Sequence, residues 1–310
     1  MRGESRSGSR DRSRDAPGDA SAPPRRPRER ADACGRRRYW AALDEHDPTL
    51  LWIDPAEIHH VRDVMRLGPG DRIELLDGSG RWFESVLDRP MRSDRLRARL
   101  VQIHAASPEP PLPWLIQALI RPARLEAVID GATQIGVHGI LLFVAARSAL
   151  KDTIDDKRRE RLERLMRVAT AQSLGLHLPA LRGPLAGAEL GRATAGFRLW
   201  VAHGPARAAG PCAEIGDLWS APLPAAERGE ARAEDALVIG PEGGFTEEEI
   251  AGFVAGGARL LDLGPRRLRA ETAALVGLAH LGARLRAGIA AASIAAGGAV
   301  GAGPPVPDAV

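Results

Sequence analysis

The strongest chemical signal is a glycine-rich segment that follows a short apolar run. Residues 237–239 lead directly into Gly240 to Gly244, which read G-P-E-G-G. Glycines at the end of a strand let the backbone approach a ligand closely, although a purely structural turn is the alternative for this segment alone. Thr246, followed three residues later by Glu249, predicts the capping box of a helix. Neither a P-loop nor a G-x-G-x-x-G dinucleotide pattern is present.

A second edge of the same kind follows closely. Residues 261–263 (Leu-Asp-Leu) are the end of a predicted strand, Arg269 lies at the end of the next loop, and Glu271 and Thr272 open a helix. Two such edges close together predict one concave site lined mainly by backbone N–H and C=O groups. A site of this type suits a small polar cofactor that carries an adenine and a carboxylate.

The elements around these motifs change character along the chain. Between residues 39 and 106, short alternating segments and tight turns predict a small β-barrel of about 60–70 residues. Its strands are predicted at residues 49–53, 72–76, 81–87 and 96–103, with a helix at 56–67. Beyond a proline-rich connector at 107–113, strands alternate with helices, which predicts a parallel α/β sheet. The predicted strands are 114–120, 139–144, 198–202, 236–240 and 259–263, and the predicted helices are 123–136, 155–173, 246–255 and 270–285. Residues 205–235 look like a loop insertion.

Composition excludes several classes of protein. The two cysteines, Cys34 and Cys212, are too few for a disulfide scaffold or a cysteine-rich zinc site, and they favour a reducing, cytosolic setting. No apolar stretch reaches the 18 or so residues of a membrane span, and because the N-terminal segment is charged and lacks an apolar region, we expect no secretory signal there. We expect no metal site and no membrane association.

The net charge of +3 is unevenly distributed. Residues 1–38 contain 12 Arg and 6 acidic residues, which leaves 31 basic and 34 acidic residues in the rest of the chain. This Arg-rich extension and residues 289–310 lack the apolar residues of a core, so both are predicted to be disordered. The extension could add non-specific affinity for RNA or act only as a solvated tail.

The paired motifs resemble those of a known family. G-P-E-G-G-F-x-x-x-E-I at 240–250, followed by L-G-x-x-x-L-R-x-E-T-A at 263–273, is similar to the RsmE family of bacterial methyltransferases, which modify N3 of a uridine in 16S ribosomal RNA. The segment 59–78, which begins His-His-Val-Arg, is similar to the family's N-terminal RNA-binding barrel. Weaker likeness at 125–126, 136–137, 147–148, 171–173 and 178–179 extends the match over residues 50 to 285.

The resemblance implies an α/β fold class: a C-terminal SPOUT-type, trefoil-knotted parallel α/β domain (108–288) with an N-terminal PUA-like β-barrel (39–107). It further implies S-adenosyl-L-methionine as cofactor, 16S rRNA of the small ribosomal subunit as partner, a homodimer and a cytoplasmic location. The cofactor-binding residues that it implies are Ile239, Gly240, Pro241, Glu242, Gly243, Gly244, Leu263, Gly264, Leu268, Arg269, Glu271 and Thr272. The basic residues around the barrel are predicted to contact RNA phosphates, although solvated surface is the alternative; they are Arg62, Arg66, Arg72 and Arg81. His60 and Arg147 are further expected RNA-binding residues.

Two residues are candidates for catalysis. Arg269 could stabilise the negative charge that develops on the uracil, or it could form an ion pair with Glu271 or act as a helix-capping cation. Glu242 could orient the cofactor or the target, or it could only complement the dipole of the following helix.

The sequence also departs from the family pattern. Ala171 and Gly175 replace the Glu and Arg of E-Q-S-x-R, Gln134 and Ile135 replace the first residues of E-L-G-V, and Arg124 and Arg267 replace a Lys and an Ile. These changes leave two alternatives open: a degenerate member that binds RNA without turnover, and an enzyme that methylates a different RNA base.

Overall fold

The computed structural model describes residues 37–88, 95–105, 112–149, 154–204, 213–214 and 234–295. The predicted disordered extension up to residue 36, both cysteines, most of the predicted insertion and the chain beyond residue 295 lie outside these ranges. Arg37 and Arg38, which were assigned to the disordered extension, are described. The Arg37 guanidinium is paired with the buried carboxylate of Glu57 at 2.8 Å.

The N-terminal part is a closed barrel of five strands. They are β1 (Tyr39–Leu43), β2 (Leu50–Ile53), β3 (Arg72–Leu76), β4 (Arg81–Leu87) and β5 (Arg97–Ala105). Around the barrel the order is β1-β2-β5-β4-β3, closed by parallel pairing of β1 with β3. Leu51, Leu75 and Phe83 fill the interior. The predicted barrel is confirmed, although β1 was not recognised as a strand.

The segment between β2 and β3 is helical, but it is not the single helix that was predicted for 56–67. Helix α1 (Pro55–His59) begins at Asp54, whose carboxylate accepts the Ala56 N–H, and a π-helical turn (His60–Val64) follows directly. Arg66 then adopts a left-handed φ of 55°, which ends the helical path.

The C-terminal part is a seven-stranded sheet with helices on both faces. Its strands are β6 (Trp114–Ala118), β7 (Gly139–Val144), β8 (Ala180–Ala186), β9 (Phe197–Ala202), β10 (Ala213–Glu214), β11 (Glu234–Ile239) and β12 (Arg259–Asp262), in the order β10-β12-β9-β11-β6-β7-β8. All recorded pairings are parallel. The helices are α2 (Pro122–Ile135), α3 (Asp156–Gln172), α4 (Gly187–Ala193), α5 (Glu247–Ala255) and α6 (Ala270–Ala295). The predicted α/β class is confirmed.

Alternating strand residues divide the core into two layers. Leu115 and Leu237 face the layer that contains α2, α3 and α6. Trp114, Ile116 and Val238 face the layer that contains α4 and α5. Strands buried on both faces are continuously apolar, which is typical of parallel sheets. Among the helices in the described ranges, none combines the length and apolar character needed to cross a bilayer.

Three parts of this sheet differ from the sequence prediction. Strand β8 and helix α4 were not predicted. Strand β10 and the start of β11 lie inside the segment 205–235 that was interpreted as a loop. Helix α6 continues to Ala295, past the predicted end at 285 and into the predicted disordered tail.

Trp40 on β1 joins the barrel to α3. Its side chain is buried against Leu76 and Ala171, and its indole N–H donates to the carbonyl of Arg167 at 2.9 Å. The Arg167 guanidinium lies 4.1 Å from the centre of the indole and pairs with Asp54 at the start of α1. One aromatic side chain therefore carries apolar, hydrogen-bonding and cation–π contacts across this junction.

Replacing Trp40 with Ala should lower the free energy of unfolding by about 3–5 kcal/mol, because it leaves a cavity between the barrel and α3. Denaturant unfolding followed by far-UV circular dichroism measures the change. Val254→Ala, at a half-exposed position on α5, is the control and should stay within about 0.5 kcal/mol. A loss below 1 kcal/mol for Trp40→Ala would show that the junction does not depend on this side chain.

Candidate active site

A cavity of about 650 Å³ opens where β9, β11 and β12 end. Because these strands are parallel neighbours, their carboxyl ends lie at one edge of the sheet, where ligands of open α/β sheets bind. Three segments and one side chain from α2 line the cavity: residues 202–204, 239–245 without Gly243, 261–270, and Arg124. Ala273 completes the lining from the first turns of α6.

The first wall is the G-P-E-G-G loop. The Gly244 N–H donates to the carbonyl of Pro241 at 2.8 Å, and Gly244 has a φ of 71°, which glycine adopts without strain. A Cβ at Gly240 would lie 3.0 Å from the ring of Phe245, so the loop also needs a small residue there. The predicted capping box is confirmed, with Glu249 N–H to Thr246 Oγ1 at 3.2 Å and Thr246 N–H to Glu249 Oε2 at 2.8 Å.

Arg147 braces this loop from behind. Its guanidinium donates to the carbonyl of Phe245 at 3.0 Å and to that of Gly243 at 3.4 Å. A Cβ at Gly243 would come within 3.1 Å of the Cβ of Arg147. Gly243 therefore makes room for Arg147 instead of lining the cavity, and the guanidinium predicted to contact RNA is engaged by the loop.

The second wall is the loop between β12 and α6. The Gly264 N–H donates to Asp262 Oδ1 at 3.0 Å, and Gly264 has a φ of 118°. Leu263 and Leu268 supply apolar surface to the cavity. The carbonyl of Arg269 accepts the Ala273 N–H at 2.8 Å, so Arg269 immediately precedes the first turn of α6, and it is exposed at the cavity.

Arg124 links the two walls. Its guanidinium lies 3.6 Å from Glu242 Oε1 in the first loop and 3.8 Å from Glu271 Oε1 in the first turn of α6. Glu242 Oε1 also lies 3.4 Å from the backbone nitrogen of Arg121, which donates to it. The second oxygen of each carboxylate is buried without a hydrogen-bond partner in the described structure. Glu271 is thus paired with Arg124, and the alternative of an Arg269–Glu271 pair is not found.

The cavity brings together most of the residues that were predicted to bind the cofactor. Nine of the twelve line it, and the exceptions are Gly243, Glu271 and Thr272. Sequence reasoning missed Ala202, the last residue of β9, and His203 and Gly204, which follow it. The only available signal was His-Gly directly after an apolar strand, which is too short to stand out.

The residues present fit a nucleoside cofactor that carries an amino-acid arm. Ile239, Leu263 and Leu268 provide an apolar wall for a base, while the glycine loops expose backbone donors and acceptors. Glu242 Oε2 has no hydrogen-bond partner in the described structure, so it is an acceptor available to a ligand in the cavity. The volume lies within the range of about 300–1,000 Å³ that is usual for small-molecule sites.

A second cavity, of about 770 Å³, lies on the other face of the sheet against α4 and α5. Its lining is mainly apolar, with Phe143, Leu190 and Phe253. Glu249 is the one carboxylate there, and both of its oxygens already accept backbone N–H groups, from Ala146 and from Thr246. This cavity therefore offers little chemistry.

The RNA-binding candidates on the barrel differ in their solvent exposure and in their contacts within the protein. Arg66 and Arg72 are exposed, and His60 lies beside the ring of Tyr39 at 5.8 Å. Arg81 instead donates to Asp77 and Ser79 and fixes the β3–β4 hairpin. Partial burial alone would raise the pKa of Asp77, but the hydrogen bonds from Ser79 and Arg81 outweigh it, and the pKa is lowered. Arg62 is half-buried.

Comparison with known proteins gives the same two parts. Residues 108–282 match the family model of an RNA methyltransferase domain, and residues 53–90 match that of an RNA methyltransferase PUA domain. A ribosomal RNA small subunit methyltransferase E of Mycobacterium bovis is 32% identical over 237 residues, which cover 74% of this chain and 85% of that protein. The Bacillus subtilis protein of the same name is 29% identical, covering 79% and 95%.

Solved structures agree with this assignment. A methyltransferase of Legionella pneumophila in complex with S-adenosylmethionine has a TM-score of 0.67 at 27% identity, covering 80% of this chain and 97% of that one. The ribosomal RNA small subunit methyltransferase E of Neisseria gonorrhoeae, bound to S-adenosylmethionine, has a TM-score of 0.64 at 21% identity, covering 79% and 95%. The predicted fold class, a parallel α/β domain with an N-terminal PUA-like barrel, is confirmed. With a family model over more than half of its length and relatives that share both parts, this chain belongs to the RsmE family of ribosomal RNA small subunit methyltransferases.

Proposed function

We propose that this protein transfers a methyl group from S-adenosyl-L-methionine to N3 of a uridine in 16S rRNA of the small ribosomal subunit. The observation that carries the proposal is the meeting of the two family motifs, G-P-E-G-G and L-R-x-E-T-A, around one cavity at the ends of β11 and β12. The relatives with both domains are named as enzymes of this class.

The cofactor, when bound, supplies an electrophilic methyl group. The chain's own contribution is placement, because in-line alignment of donor and acceptor can be worth several kcal/mol. The loops at Gly240 and Gly264 would hold the ligand through backbone groups, and Arg124 pairs with a carboxylate from each wall. The target uridine must leave its stack before its base can enter the cavity.

N3 of uracil carries a proton that must be lost before it can accept a methyl group. Glu242 Oε2 has no hydrogen-bond partner in the described structure, so we assign it to accept the hydrogen bond of the N3–H group and then its proton. The resulting charge spreads onto the flanking carbonyl oxygens, and we propose that Arg269, which lines the cavity, stabilises it.

The alternative of an RNA-binding member without turnover rests on Ala171 and Gly175. Ala171 is buried against Trp40 in the junction between the barrel and α3. Gly175 lies in the turn after α3, where its N–H donates to the carbonyl of Thr170. Both departures lie outside the cavity lining, so they favour an altered junction over a lost active site.

The barrel is proposed to add RNA affinity through phosphate contacts from Arg62, Arg66, Arg72 and His60. By resemblance to its superfamily, we also propose that the protein works as a homodimer in the cytoplasm. Sedimentation velocity at micromolar concentration measures the oligomeric state, and a single species with the mass of one chain would refute the homodimer.

The function itself is tested on ribosomes. Small subunits from a strain that lacks this gene should accept one tritiated methyl group per particle from purified protein and S-adenosylmethionine. Mass mapping of the rRNA should place that group on N3 of one uridine. Binding of cofactor and subunits without incorporation would establish the non-catalytic alternative, and a methyl group on another base would redirect the target assignment.

Replacing Arg269 with Ala should lower turnover by roughly 10²–10³, the scale of losing one oxyanion donor, while the cofactor Kd stays nearly unchanged. Calorimetric titration and single-turnover tritium transfer measure the two quantities. Arg286→Ala, at an exposed position later in α6, is the matched control. If Arg269→Ala binds cofactor poorly and saturating cofactor restores its rate, Arg269 builds the pocket and is not catalytic.

Replacing Gly244 with Val should weaken cofactor binding by roughly tenfold or more, because a φ of 71° costs a residue with a side chain about 1–2 kcal/mol. The loop should leave its conformation while the barrel stays folded. Gly252→Ala, in α5 with open space at the added Cβ, is the control and should bind cofactor normally. Equal affinities for the three proteins would show that this turn does not shape the pocket.

A further inference from the structure

Two arginines at the mouth of the cavity have no role in the mechanism above. Arg266 and Arg267 follow Pro265 in the loop between β12 and α6, and both line the cavity with exposed side chains. With Arg269 they place three guanidinium groups within four residues. Arg267 stands where the family pattern usually has Ile, so this charge belongs to the present chain and not to the shared motif.

These arginines are free in a chain that pairs many of its others. Arg124, in the same cavity, is bracketed by Glu242 and Glu271. Within the described ranges, neither Arg266 nor Arg267 lies within ion-pair distance of a carboxylate. Beyond residue 38 the chain has more acidic than basic residues. Unpaired positive charge at this one mouth is therefore not a consequence of a generally basic surface.

The loop that carries them is held at both ends. Asp262 Oδ1 accepts the Gly264 N–H at 3.0 Å, which fixes the start of the loop. The ring of Pro265 fixes its own φ, and at the end of the loop the Arg269 carbonyl accepts the Ala273 N–H in the first turn of α6. A fixed loop loses little conformational entropy when its side chains bind a ligand.

We propose that Arg266 and Arg267 bind the RNA phosphates on either side of the target nucleotide. This inference rests on the proposed function, because a base that enters the cavity brings its own flanking phosphates to the mouth. A guanidinium binds a phosphate through two parallel hydrogen bonds, which gives both affinity and orientation. The expected ligand is single-stranded or locally opened RNA, since a stacked duplex cannot present the base.

The test removes both charges in the variant Arg266→Gln/Arg267→Gln. Its affinity for a short single-stranded RNA that contains the target uridine is measured by fluorescence anisotropy from low to high KCl. Two lost phosphate contacts should reduce the slope of log K against log salt by roughly 1.4, at about 0.7 per contact on single strands. The cofactor Kd should change less than twofold, and KM for subunits should rise while kcat stays within a few-fold.

The matched control is Arg192→Gln, which removes an exposed arginine on α4, outside the cavity lining. It should leave the salt slope unchanged. The proposal is overturned by an unchanged slope in the double variant, by an equal change in the control, by loss of cofactor binding, or by a wild-type protein that binds neither the oligonucleotide nor the subunit. A wild type that binds RNA in this way but transfers no methyl group would refute the proposed function and leave the phosphate contacts standing.

Discussion

The parallel pairing of β9 with both β11 and β12 is the constraint on which the site depends. Val201 of β9 is in register with Val238 on one side and Leu260 on the other, so the three strands end nearly level. The loops that follow them must therefore share one edge of the sheet. The loops that follow β9, β11 and β12 are distant in sequence, but they lie side by side at this edge and line one cavity.

The opposite end of the same strands is anchored by a buried acid. Asp235 on β11 accepts the indole N–H of Trp200 at 2.9 Å and pairs with Arg198 on β9, and Arg284 of α6 lies 3.9 Å away. Burial lowers the pKa of Arg284, and the neighbouring Arg198 adds to this effect, while Asp235 opposes it. This network ties β9, β11 and α6 together and so supports the register that the cavity needs.

Sequence reasoning worked where local chemistry specifies structure. The predicted strands 72–76, 81–87 and 139–144 have the observed bounds, because alternation or continuous apolar character defined each of them. It failed where a strand is defined only by its hydrogen bonds to a neighbouring strand. Strand β8 contains Gly183 and Pro184, which read as a break, and β10 has two residues whose strand character depends on β12.

The site was predictable to the extent that it lies in contiguous motifs. Gly240 and Gly264 could be placed at a ligand from the sequence, whereas Arg124 and His203 could not, because only the fold brings α2 and β9 to the same edge. Arg147 is the opposite case. It was predicted to bind RNA because it lies in a segment that resembles the family, but its guanidinium donates to the carbonyls of Gly243 and Phe245.

The arginines of this chain differ in function according to their partners. Arg124 pairs with a carboxylate and Arg147 donates to a carbonyl, so both guanidinium groups hold parts of the site at fixed distances. These interactions leave little of their charge available to a ligand. Where the described residues offer no acceptor, as for Arg269 at the mouth, the guanidinium remains available to a ligand, and a bound RNA would displace the water that screens its charge. Because Ile239, Leu263 and Leu268 give the cavity an apolar wall while the exposed guanidinium groups of Arg266, Arg267 and Arg269 lie at its mouth, a neutral base and its charged backbone would meet surfaces of different kinds. A flipped nucleotide has that division of charge, whereas a free nucleobase lacks the phosphate and a stacked duplex does not present the base.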